Sequence, residues 1–393
     1  MFARLALLSA LLATPLAAQT FDTRAEAAYV VDQRTGAVLL SKNAETPLPP
    51  ASMSKLMTLL MTFEAIQRGT LAITDELPVS TYAANRGGST MFLDSRDRVS
   101  VEDLIRGIIV LSGNDACIVL AEALSPDGTE AGFARMMTAR ARELGMENST
   151  FMNSTGWPAA GHLMSMEDLA ILANRLILDF PTFYPLFAEQ EFAFDGRAPS
   201  NTRNRNPVLS LGIGADGLKT GHTQEAGYGL TGSARQGDRR IIFVVTGLET
   251  PGQRAEEAER IVNWAFRQFS ETVVAPAGTR LAEAEVHMGA SQRVGLTTSE
   301  DVALLIPTIG AGDITAHASY DSPLEAPIIE GDIVGELVVE IPGFQPLRRP
   351  LIAAETVEVG GFVPRLRTAA DALRRQLLED GTIGGVDAAD PAS

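Results

Sequence analysis

Three short polar groups, far apart in the chain and each set against an apolar element, constrain its fold more than any other feature. They are Ser52-Met53-Ser54-Lys55, Ser112-Gly113-Asn114 and Lys219-Thr220-Gly221, which read as S-x-x-K, S-x-N and K-T-G in that order. A four-residue pattern with two free positions recurs by chance, so one alone carries little. All three in order, with helix-like and strand-like surroundings where each needs them, are the working parts of a serine acyl-transfer site that uses lysine as its base.

A serine hydroxyl is a weak nucleophile and needs a neighbouring base. Over residues 51–63 the apolar side chains run nearly all round a helix, which predicts a buried one, and Pro49-Pro50 marks the turn into it. Ser52 and Lys55 are then i and i+3, on one face and within reach. The helix N-terminus favours negative charge developing near Ser52. Lys55 accepts a proton only where part of it is neutral near pH 7. Burial and a second nearby cation both lower a lysine pKa, and Lys219 is the candidate for that cation.

Ser112 follows an apolar run, 101–111, that Ser100 and Asp103 open as a capping box. Gly113 breaks this helix and presents Ser112 and Asn114 before a second one starts near Asp115. A hydroxyl can relay a proton, and an amide can accept from and donate to a peptide backbone. Lys219 opens a stretch continuing through 228–234, a turn at Gln236-Gly237-Asp238, and 240–247. That reads as a β-hairpin along whose edge an extended substrate can pair. Backbone N–H groups of Ser52 and His222 would form the oxyanion hole. Asp216 reads as structural, pairing locally or shaping the turn.

With the segments 87–93, 111–116 and 216–223, these motifs resemble the low-molecular-mass penicillin-binding proteins, most closely the D-alanyl-D-alanine carboxypeptidases of bacterial cell walls. The resemblance covers roughly residues 25–378. It implies that Ser52 attacks the D-Ala-D-Ala amide of a peptidoglycan stem pentapeptide, that D-alanine leaves, and that water releases the shortened peptide. Lys55 would be the base for acylation and Ser112 would pass the proton to the leaving amine. Asn114 would hold the substrate backbone, with His222 contributing its main chain. Lys219 and Thr220, in the strand motif that Gly221 completes, would take the terminal carboxylate, helped by Arg254. The family more often has glycine directly before that arginine; here Gln253 stands there. β-Lactam antibiotics would be covalent inhibitors.

Other signals are set aside on physical grounds. Gly212-Ile213-Gly214-Ala215-Asp216-Gly217 is a formal G-x-G-x-x-G, but a phosphate site needs a helix opening at the glycines, and strand and turn residues follow. His162, His222, His287 and His317 are scattered, with no clustered ligand set for zinc. No metal or cofactor is therefore expected. No G-x-S-x-G elbow is present. A gly-rich stretch with Tyr82, Asn85, Met91 and Phe92 either borders the site or is a surface loop. A class A β-lactamase would need a glutamate for its deacylating water, and Glu167 and Glu189 lie outside that class's usual loop signature. An endopeptidase would share every motif, and a scaffold protein would carry the site as a vestige.

Residues 1–18 have one positive charge, a short apolar core and small residues at the end, an export signal pointing to the periplasm. The single cysteine, Cys117, reads as a small core residue. A hairpin across Asp32-Gln33-Arg34-Thr35-Gly36 should join the sheet of the 228–247 hairpin. The catalytic domain, 22–270, is then α/β, an antiparallel sheet with flanking helices and a helical subdomain, and the resemblance makes it β-lactamase/transpeptidase-like. From 271 to 361 short Val, Ile and Leu runs broken by Gly, Pro and Asp suggest a small β-sandwich. Residues 362–378 form a basic amphipathic pattern with Arg365, Arg367, Arg374 and Arg375, suited to peripheral contact with the outer face of the inner membrane. The acidic tail 379–393 is expected to be disordered. A net charge of −17 argues against nucleic acid as a partner.

Overall fold

A computed structural model describes residues 21–198, 200–308, 314–342 and 346–361. The export signal, the basic helix at 362–378 and the acidic tail lie outside the described residues. The chain divides into two compact units: the first runs to Ser270 and takes back a short stretch from Pro307, and the second begins at Glu271.

In the first unit β1 (Ala27–Asp32) and β2 (Val38–Lys42) form the expected hairpin. Then come α1 (Lys55–Gln67), β3 (Glu76–Pro78), α2 (Thr81–Ala84), β4 (Arg98–Ser100) and α3 (Val101–Arg106). α4 (Asn114–Leu124), α5 (Glu130–Glu143) and α6 (Met166–Asp179) complete the helical region. The chain returns to the sheet as β5 (Ala215–Thr223), β6 (Gly227–Gln236) and β7 (Arg239–Leu248), and α7 (Pro251–Arg267) closes the unit. The sheet order is β2-β1-β7-β6-β5, every pairing antiparallel.

Period-2 alternation explains why both faces are covered. On β7, Ile242 and Val244 join the core shared with α1, α3, α4, α5 and α6, while Ile241, Phe243 and Val245 face the core of α7. α7 itself buries Arg254, Glu257, Ala258, Ile261, Val262 and Ala265, one face at helical spacing. Its first turn is capped by Thr250, whose side chain accepts from Gln253 N–H at 3.0 Å.

Lys219 does not lead into the 228–247 hairpin as its opening residue; it lies in the middle of a separate strand, β5, paired through Lys219 and Thr231 with β6. The glycines around it (Gly217, Gly221, Gly227, Gly229) hide the strand pattern from a propensity argument. β5 is the end strand of the sheet, so its outer edge is the one free to pair.

The second unit takes up inside β8 (Phe269–Ala275) and adds β9 (Ala282–His287), β10 (Arg293–Thr297), β11 (Val302–Pro307), β12 (Thr315–Tyr320), β13 (Leu324–Glu325), β14 (Ile333–Glu340) and β15 (Leu347–Ala353). A six-stranded sheet, β12-β14-β15-β10-β9-β13, and the two-stranded β11-β8 share a core of Ala275, Val294, Leu296, Val302, Leu304, Leu337 and Val339, among others. This is the β-rich domain the apolar runs implied.

Candidate active site

Ser52 sits in a single 3-10 turn, Ala51–Ser54, that runs straight into α1. The turn is wedged between β5 and a loop that precedes α6. A Cβ on Gly221 would stand 2.9 Å from the Pro50 carbonyl oxygen, and one on Gly156 (φ +78°) would stand 1.8 Å from that of Ala51. Only glycine permits either approach. Ala51 itself takes φ 48°, a strained conformation for a non-glycine residue that its buried surroundings impose.

Lys55, the first residue of α1, is fully buried. Its Nζ lies 2.9 Å from Ser52 Oγ, 2.7 Å from Asn114 Oδ1 and 2.5 Å from the carbonyl oxygen of Thr155. As an ammonium it donates to all three. As an amine it keeps the two carbonyl-type acceptors and turns its lone pair on the Ser52 hydroxyl, the geometry a general base requires. Burial, reinforced by the charge of Arg205, lowers Lys55 from 10.5 to about 8, against the opposing charges of Asp115 and Glu130. That corresponds to roughly 3 kcal/mol against its charged form.

Asn114 opens α4, and its Nδ2 donates to the Gly87 carbonyl at 2.8 Å. Ser112 ends the preceding helix, after a single π-helical turn Gly107–Leu111, in a left-handed conformation with φ 62°. Its hydroxyl is buried and has no hydrogen-bond partner among the described residues. Asp115 fixes the facing segment: its carboxylate accepts from the N–H groups of Met91 and Leu93 and from the Thr90 hydroxyl. Of the Gly-rich stretch, Gly88 and Ser89 line the cleft, Met91 is buried and Phe92 is exposed.

Lys219 is 2 % exposed, and its Nζ donates to the Thr220 carbonyl at 3.3 Å. Burial, Lys55 and Arg205 push it well below its ordinary value. Lys219, the cation expected from its motif, is not the one that depresses Lys55. The structure gives that part to Arg205, because Lys219 is itself buried and reluctant to hold a proton. Arg205 was missed; it lies in a polar stretch without pattern, where its Nη1 donates to Ser89 Oγ at 2.6 Å. Arg254 is buried in α7's first turn, over the Tyr228 ring at 5.7 Å, and donates to the Arg205 carbonyl at 3.3 Å. His222 is exposed, with its ring stacked on Tyr228 at 3.8 Å. Asp216 bonds Arg240 at 2.6 Å and Tyr184 at 2.7 Å.

Ser52, Asn114, Thr155, Trp157, His222 and Glu225 line one open cleft of about 630 Å³. Ser52, Lys55 and Asn114 are thus in direct contact. Arg205 acts on Lys55 through charge, Arg254 acts on Lys219, and Ser112, Thr220 and Gly221 are buried beside Asn114 and Lys219 in the chain. Glu167 and Glu189 do not line the cleft, and Glu189 pairs with Arg106 at 3.0 Å.

A profile of the D-alanyl-D-alanine carboxypeptidase family matches residues 14–250, more than half of the chain. This chain belongs to that family. A second profile, the C-terminal domain of penicillin-binding protein 5, matches residues 269–359. The D-alanyl-D-alanine carboxypeptidase DacC of Escherichia coli is 38 % identical over 353 residues, 87 % of this chain and 86 % of its own. DacF of Bacillus subtilis is 34 % identical over 88 % of this chain and 90 % of its own. Penicillin-binding protein 5 from Haemophilus influenzae superposes with a TM-score of 0.76 at 32 % identity, covering 86 % of this carboxypeptidase and 98 % of that chain. Penicillin-binding protein D2 of Listeria monocytogenes, solved in its ampicillin-bound form, matches with a TM-score of 0.56 at 30 % identity over 62 % of this chain and 98 % of its own. The carboxypeptidase is of the serine type, and its fold is the transpeptidase-like domain followed by a β-rich domain.

Proposed function

We propose that the enzyme removes the terminal D-alanine of peptidoglycan stem pentapeptides through an acyl-enzyme on Ser52. The observation that supports this best is the contact of Lys55 Nζ with Ser52 Oγ while Asn114 and Thr155 occupy its other two directions. Neutral Lys55 takes the Ser52 proton as Oγ attacks the carbonyl carbon of the penultimate D-alanine. The proton passes to the leaving amine through the Ser112 hydroxyl, whose lack of a fixed partner leaves it free to donate and accept. Backbone N–H groups of Ser52 and His222 receive the oxyanion. Water then cleaves the ester and restores Ser52.

Arg205 and Arg254 set positive charge near Lys219 and Thr220, which suits a substrate ending in a carboxylate, and the arriving carboxylate would favour the ammonium form of Lys219. Asn114 and the outer edge of β5 would hold the peptide backbone. A β-lactam would enter as a mimic of the same peptide and stay as the ester, in line with the ampicillin-bound Listeria protein. Among the described residues no helix is long and apolar enough to cross a membrane. Residues 362–378 would lay the exported enzyme against the outer face of the inner membrane.

Incubation of the protein with fluorescent penicillin and, separately, with a pentapeptide ending in D-Ala-D-Ala tests the reading. Mass spectrometry should place a long-lived adduct on Ser52 and show loss of one D-alanine from the peptide. Fast penicillin turnover with the peptide intact would make the enzyme a β-lactamase instead.

The carboxylate role of Lys219 has its own test. Lys219→Ala should lower kcat/KM for peptides with a free C-terminal carboxylate by about 10²-fold or more, and by much less for their C-terminal amides. Equal losses for both would remove that role.

A further inference from the structure

Glu130 opens α5 and is 6 % exposed. Its Oε1 accepts from the Ser154 N–H at 3.0 Å and the Ser154 hydroxyl at 2.6 Å, and its Oε2 accepts from the Tyr82 hydroxyl at 2.7 Å. The Ser154 carbonyl accepts from Thr58 Oγ1 on α1 at 2.7 Å. The next carbonyl along, that of Thr155, is the one held by Lys55 Nζ. Asn153 Oδ1 collects the N–H groups of Thr155, Gly156 and Trp157, so the loop cannot swing without breaking several bonds at once. A buried carboxylate bound by neutral donors costs desolvation, and such a cost persists where the charge or its geometry is used.

We propose that Glu130 is a positioning residue for the base: it clamps Ser154 so that the Thr155 carbonyl is held on Lys55 Nζ, and it keeps a negative charge behind that lysine. The proposal rests on the reading of Lys55 as the base. The charged groups acting on Lys55 are Arg205, which favours its neutral form, and Asp115 and Glu130, which favour its charged form. Lys219 and His162 also feel Lys55, but burial drives both towards neutrality. Cys117 is held as a thiol, since burial raises it to about 12. Asp115 has its oxygens filled by the Thr90–Leu93 segment, the opposite wall. Glu130 does the equivalent service for the Asn153–Trp157 loop.

Two substitutions separate geometry from charge. In Glu130→Gln the amide oxygen still accepts from Ser154 and the NH₂ turns to the Tyr82 oxygen, so the clamp stays and the charge goes. Acylation of Ser52 by fluorescent penicillin, followed from about pH 5.5 to 10, should then keep its plateau while its midpoint falls by roughly half a unit or more. Glu130→Ala removes the clamp as well, and its plateau should fall at least about tenfold, because a misplaced base loses its alignment with the attacking hydroxyl. An unmoved midpoint in Glu130→Gln, or a wild-type plateau in Glu130→Ala, overturns the proposal. If the alanine variant does not fold, as thermal melting would reveal, the glutamine midpoint decides. Mapping the adduct in the wild-type protein keeps the two ideas distinct: no adduct on Ser52 defeats the acyl-enzyme reading itself, whereas an adduct with an unmoved Glu130→Gln midpoint or a wild-type Glu130→Ala plateau defeats the proposal for Glu130 alone.

Discussion

Ser52→Ala should form no β-lactam adduct and should release D-alanine at least about 10⁴-fold more slowly than the wild-type enzyme. The hydroxyl removed is the one 2.9 Å from Lys55 Nζ, and among the described residues no other hydroxyl is hydrogen-bonded to that nitrogen. Ser54 Oγ and Ser112 Oγ are buried and neither is hydrogen-bonded to Lys55, so neither has the base beside it that a substitute nucleophile needs. Stability should change by no more than about 1 kcal/mol, because Ser52 is half-buried and the turn is set by Gly156, Gly221 and Ala51. Intact-protein mass after penicillin treatment and a thermal melt check both halves. A covalent adduct surviving in this variant would remove Ser52 as the nucleophile.

What the sequence revealed of this site follows a physical rule. Ser52, Lys55, Ser112, Asn114 and Lys219 contribute side-chain chemistry at short spacing, so their types and intervals are visible in the chain. Thr155 contributes only a carbonyl, which every residue has, and Gly156 contributes only the absence of a Cβ; neither leaves a pattern. Arg205 acts through a proximity that the fold creates, 150 residues beyond Lys55 in the chain. That is why Lys219, the cation with a motif, was assigned the effect Arg205 exerts. The same division applies to the fold. β7 was legible from its apolar run Ile241-Ile242-Phe243-Val244-Val245. β5 was legible as strand-like at its motif but not as a strand separate from the 228–247 hairpin, because its glycines serve the close approach of the nucleophile turn and weaken the strand signal.

Lys55→Met should lower Ser52 acylation by about 10³-fold and abolish its rise with pH. With Lys55 at about 8, roughly one molecule in ten holds a neutral amine at pH 7, some 300-fold more than an ordinary lysine would provide. The wild-type rate should therefore climb through about pH 8 and level off above it. Lys55→Arg sharpens the test, since a guanidinium retains the donors for Asn114 and Thr155 but does not give up a proton. If the arginine variant acylates at a wild-type rate, Lys55 orients the site and is not its base. Stability carries an independent signature. The folded value lies below the unfolded one, so between about pH 8 and 10.5 the unfolded chain binds more protons and stability rises with pH. Below about pH 8 the cost of the buried charge is fully present. Lys55→Met should lose the Lys55 part of that rise, which chemical denaturation at pH 7 and pH 10 measures. An enzyme that destabilises its own fold in order to keep a lysine neutral must show both effects together, a rate with its midpoint near pH 8 and a stability that starts to rise at that same pH.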